Sequence, residues 1–183
     1  TYFENDEHDV LDCEWKENAG LRKLLRPLLD DNLARIRHEV VKTNLAFRRS
    51  AKASQIEKRL AFDESAPFLN EIIAVVRPRL ILLTGPTLAS FNDRFTEHAV
   101  ALCGPERQDS INQTVFAASK ARLHATMSEV VVVQVAHASQ WSSTYREYNV
   151  TEKIRSLIKA EPLAQPESQR DSVDASRSTR TLD

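Results

Sequence analysis

The chain has 183 residues and a formal net charge of −1: enough for one domain with a real core, with no global attraction to a polyanion. Hydrophobic residues make up 42%, yet no apolar run reaches the roughly 20 residues that span a bilayer, so no membrane partner is expected. The two cysteines, Cys13 and Cys103, fit no metal-ligand spacing, so neither a cysteine metal site nor a disulfide framework is expected, and a reducing cytoplasm is the expected compartment.

The chain opens on Thr1, and "TYFENDEHDV" is acidic where a secretory signal is basic then apolar. Residues 1–18 are acidic and residues 48–59 basic. Such runs are first solvated faces, and the basic one is second a place for phosphates.

"LRKLLRPLLDDNL" sets Leu21, Leu24, Leu25, Leu28 and Leu29 at helical spacing, and Pro27 bends or divides that helix. "IRHEVVKTNLAF" reads as a strand through Val40 and Val41 that leaves Thr43 and Asn44 at its carboxyl end. The basic "RRSAKASQIEKR" has no periodicity and reads as a loop. "SAPFLNEIIAVV" reads as a helix capped by Ser65, with Pro67 in its first turn and an apolar stripe of Phe68, Leu69, Ile72, Ile73 and Val76.

Pro78 ends that helix, Leu80 to Leu83 form a buried strand, and Gly85 and Pro86 turn the chain into the helix "TLASFNDRF". A helix–strand–turn–helix unit is the mark of a parallel layer. "CGPERQDS" reads as a loop and "TVFAAS" as a short strand. "EVVVVQV", 129–135, is a β-branched run of the kind covered on both faces, and "NVTEKIRSLIKA" closes the fold as a helix. After Pro162 apolar periodicity is lost, so 161–183 reads as a disordered polar tail. The expected fold is therefore α/β: a three-layer α/β/α sandwich with a central, mainly parallel sheet, in one domain over 1–160 and expected as a monomer.

Open parallel sheets bind ligands at the carboxyl ends of their strands. Three such ends are legible: Thr43–Asn44, Thr84–Gly85 and His137–Ala138–Ser139. Taken alone, His137 is first a satisfied structural residue and second a proton donor or charge stabiliser; Asn44 alone is ordinary turn chemistry. No phosphate loop, dinucleotide fingerprint, HExxH or GxSxG motif occurs.

The order of segments is more specific than any one of them. "TNLAFRRS" is followed by a helix, by "PRLILLTG", and later by the strand end "HASQWS" and a last helix. Over about residues 38 to 160 this resembles the uracil-DNA glycosylase superfamily, whose motifs include a strand-end "TN" segment, a "P-x-apolar run-G" strand and an "HPS" loop that enters DNA.

The resemblance implies hydrolysis of the N-glycosidic bond of uracil or a related deaminated or damaged base in DNA, without metal or cofactor. It gives Asn44 the flipped base to read, since one amide offers both donor and acceptor. It gives His137 the developing base anion to stabilise. Gly85 would contribute to substrate binding, Ser139 would contact a phosphate near the flipped nucleotide, and Trp141 would fill the gap left in the stack. Arg48, Arg49, Ser50 and Ser142 would touch backbone phosphates. Tyr2 or Phe3 is a candidate to stack on the base, beside the plainer reading of a fraying terminus.

Two departures qualify the resemblance. Ala138 stands where the family has proline, which leaves the placement of His137 and Ser139 less rigid. The family's Gly-x-Asp/Asn-Pro turn, which positions water, does not occur in the chain; a truncated sequence is the first expectation and a degenerate relative the second, and turnover by these residues alone is in doubt. Two further readings stay open: a non-catalytic nucleic-acid or nucleotide binding module, and a generic α/β domain with ordinary turn residues at its strand ends.

Overall fold

The valine run at 129–135 sets the architecture. In the computed structural model, which describes residues 16–43, 58–84, 88–108, 113–137 and 148–160, it forms one of the two inner strands of a four-stranded sheet. The elements are α1 (Lys16–Leu28), α2 (Leu33–Glu39), α3 (Lys58–Val76), β1 (Leu80–Thr84), α4 (Leu88–Phe95), β2 (Thr96–Gln108), β3 (Gln113–Leu123), β4 (Glu129–Val135) and α5 (Val150–Ala160).

The strand order is β1-β4-β3-β2. β1 and β4 are parallel, from Leu80 opposite Val131 to Thr84 opposite Val135. β3 runs antiparallel to both β4 and β2. This corrects the expected fold class: two of the three pairings are antiparallel, so the sheet is mixed rather than mainly parallel. The cause lies between Thr96 and Leu123. Among the described residues that segment has no crossover helix; its two strands pair with each other antiparallel.

Successive side chains of a strand point to opposite faces, and β4 divides accordingly. Val131, Val133 and Val135 join Leu21, Leu24 and Leu25 of α1, Ile36 of α2, Phe116, and Val150 and Ile154 of α5 in one core cluster. Val130 and Val132 join Leu69 and Ile73 of α3, and Phe91 and Phe95 of α4, in a second cluster across the sheet. The two phenylalanines stack with centroids 4.9 Å apart.

Several local expectations are corrected. The stretch expected as a strand through Val40 and Val41 is instead α2 and the residues after it. Asn32 caps that helix, its side-chain oxygen accepting from the amides of Ala34 and Arg35 at 3.0 and 3.2 Å. Arg35 grips Glu39 through two hydrogen bonds of 2.7 and 2.9 Å; the guanidinium's hydrogen bond holds the Glu39 carboxyl below the usual carboxylate range. Helical order is thus fixed up to Glu39, and Val40, though extended, belongs to no ladder among the described residues.

Ser65 does not cap α3, which begins at Lys58. It is buried inside the helix and donates to the Ala61 carbonyl at 2.7 Å, the back-bonding a mid-helix serine adopts. Pro67 is likewise internal. Of the expected stripe, Leu69 and Ile73 are buried, whereas Phe68 is 60% exposed.

"CGPERQDS" was expected as a loop, but Cys103 to Gln108 belong to β2. Register shifts flank Cys103 and Glu106, which is how an edge strand takes up a Gly-Pro pair. "TVFAAS" lies within the much longer β3. Pro27 lies inside α1, which runs on to Leu28, and it is Asp30 and Asp31 that turn the chain at positive φ before α2.

Candidate functional site

Parallel strands in register end together. Thr84 is opposite Val135, so the chain leaves β1 and β4 at the same edge, about 4.8 Å apart. His137 follows two residues beyond Val135 and is exposed. Two of the three expected strand ends therefore converge. The third does not exist as a strand end: Thr43 follows the irregular segment after α2, and its neighbour Lys42 donates to Asn18 of α1 at 2.8 Å. Asn44, Arg48, Arg49, Ser50, Gly85, Ser139, Trp141 and Ser142 lie outside the described residues, as does the tail from 161.

The same edge is tied to α4. Gln134, the single polar side chain within β4 after Glu129, is buried, and its side-chain oxygen accepts from the Leu88 amide at 2.7 Å. A helix begins with amides that have no partner within the helix; here a strand side chain supplies one. The N-terminus of α4 is thereby held beside the end of β4. Its sequence signal is legible in hindsight, since a lone glutamine in a valine run has to find a partner when buried.

A second cluster extends the edge. Thr84, Val135, Phe116 and Glu106 form one row across the four strands. The Glu106 carboxylate pairs with the Lys153 ammonium of α5, and that ammonium lies 5.5 Å from the centre of the Phe116 ring, within cation–π range. The two side chains are 39% and 34% exposed, so the pair is neither buried nor free in solvent. Cys103 packs beside it, and burial pushes its thiol up from the ordinary value. A thiol held protonated is a poor nucleophile, so covalent chemistry at Cys103 is disfavoured. None of these residues stood out in the sequence, because Glu106 lay in an expected loop and Lys153 on the polar side of an amphipathic helix.

Among the described residues no group of three or more His, Cys, Asp or Glu gathers as metal ligands. No helix of the described residues is long and apolar enough to cross a membrane. What the edge offers is an exposed imidazole, a helix start held against a strand end, and a lysine shared between a carboxylate and an aromatic ring. That set suits contact with an anionic or hydrogen-bonding ligand. Comparison with protein-family models, with curated proteins and with solved structures finds no match of any of the three kinds.

Proposed function

We propose that the chain is a nucleic-acid domain of the DNA-glycosylase kind, which takes a damaged or deaminated base at the shared end of β1 and β4. One observation carries the reading. The strand of "PRLILLTG" ends at Thr84 and the strand that leads to "HAS" begins only at Glu129, yet they are parallel neighbours whose ends are flush. The order of motifs in the sequence thus becomes proximity in space. His137 would stabilise the base anion as the glycosidic bond breaks, and Asn44 would read the base edge.

A second reading is binding without base release. It is favoured by the absence of a Gly-x-Asp/Asn-Pro turn from the 183 residues, since without a group to position water the extruded base would be held and not cleaved.

The test is base release from oligonucleotides that carry one uracil or another deaminated base, with abasic sites opened by alkali. Strand scission by the chain that falls at least 100-fold in His137→Ala and Asn44→Ala is the outcome expected of a glycosylase, by the usual weight of an anion-stabilising group. Tight binding to the same DNA with no scission selects the second reading. Absence of both binding and scission removes both.

A further inference from the structure

We propose that Lys153 is a phosphate contact of this same edge and that Glu106 holds it in reserve, competing with the ligand for its ammonium. The inference rests on the nucleic-acid reading above and adds two residues to it. Three observations support it.

The first is position. Glu106 stands in the cross-strand row that contains Thr84 and Val135, so the pair lies at the edge from which His137 emerges. Val135 and Glu106 are two strand spacings apart, about 10 Å. That is the scale of about three steps along one strand of a duplex, at about 3.4 Å of axial rise each.

The second is the chemistry of the ammonium. It is bound to one carboxylate and rests over Phe116. Lysine carries three donors on a flexible stem, and one carboxylate with an aromatic face leaves it able to turn toward another anion. The third is exposure. Both partners keep about a third of their surface in solvent, so exchange of carboxylate for phosphate does not require the core to open. The remaining cation of the same helix turn, Arg155, is committed otherwise: it pairs with Glu152 and donates to the Pro27 carbonyl at 2.6 Å.

A purely structural ion pair makes a different prediction from a competed one, and the difference is one of sign. If the pair only steadies α5, Lys153→Met and Glu106→Gln remove the same interaction and act alike. If Glu106 competes with phosphate, the two variants act in opposite directions.

The experiment is fluorescence anisotropy with the full chain and a labelled duplex carrying one uracil or a stable abasic analogue, at several salt concentrations. Lys153→Met is expected to weaken binding about fivefold near 0.15 M salt and to lower the salt slope by about one, the effect of one lost phosphate contact. Glu106→Gln is expected to tighten binding about two- to threefold, with the slope unchanged or larger. Thermal melts accompany both, so that a loss of folding is not read as a loss of binding. Equal weakening by both variants, or no change in either, overturns the proposal and leaves the nucleic-acid reading standing. Failure of the unaltered chain to bind any of these duplexes overturns both.

Discussion

The sheet joins two halves built on different terms. β1 and β4 are short apolar runs, parallel, and in unbroken register from Leu80 to Thr84. β2 and β3 form a long antiparallel hairpin with four register shifts. Every residue of β4 after Glu129 is buried, whereas along β2 Glu97, His98, Val100, Ala101, Gly104, Pro105 and Arg107 are exposed. The inner strand is thus specified by hydrophobic burial on both faces. The outer one is held by its ladder to β3, and its charges, bulges and proline are the devices that blunt an exposed edge. Side chains decide β4, and backbone pairing decides β2.

The sharpest way to break that contrast is to put the same charge into each half. Val132 is fully buried at 0% exposure, and Val100 is 52% exposed. Val132→Asp places an unpaired carboxylate between Leu69, Phe91 and their neighbours and is expected to cost about 4 kcal/mol. That is a large share of a domain's stability and will appear as a lost or strongly lowered urea midpoint. Val100→Asp stands opposite Lys120 on β3 and is expected to stay within about 0.5 kcal/mol. Similar losses from both would mean that β2 is covered as β4 is.

That division also explains what was legible in advance. The valine run, the leucines of α1, and the helices after Pro86 and Asn149 were readable because burial writes itself as apolar periodicity. Cys103–Gln108 was not readable as strand. Its Gly104-Pro105 pair and charged residues are ordinary loop signals, and a strand sustained by its partner's ladder has no pattern of its own to display. The antiparallel direction of the sheet is hidden for the same reason: without β2 as a strand, β1 and β4 read as a simple parallel series. α2 failed for a different reason. Val40 and Val41 outweighed the Asn32 cap and the Arg35–Glu39 pair, which act over one turn and leave little trace in a hydrophobic profile. Of the candidate site, His137 and the end of β1 were legible because strand ends are. Gln134, Glu106 and Lys153 depend on cross-strand register, which no single segment carries.

A smaller effect tests the link between β4 and α4. Gln134→Leu keeps most of the side chain's volume but removes the acceptor for the Leu88 amide. A loss of about 1 kcal/mol is expected, the usual cost of an orphaned helix-start donor. Amide hydrogen exchange should localise it, with protection lost first in the opening turn of α4 and little changed in β3. Equal loss across the whole sheet would assign Gln134 to core packing instead.

The smallest effect concerns the bulged segment of β2. A β-carbon added at Gly104 would meet nothing within 4 Å, and no left-handed φ is recorded there to demand glycine. Gly104→Ala should therefore be neutral or stabilising by about 0.5 kcal/mol, because it narrows the unfolded ensemble without straining the strand. The adjacent Pro105 already restricts this part of the chain, which trims the gain. A stabilised variant, read as a raised urea midpoint with an unchanged slope, would confirm that the irregularity of β2 is an edge device with room around it. A loss above about 1 kcal/mol would mean that something packs against Gly104 in solution, and β2 would then resemble β4 more than its exposed residues indicate.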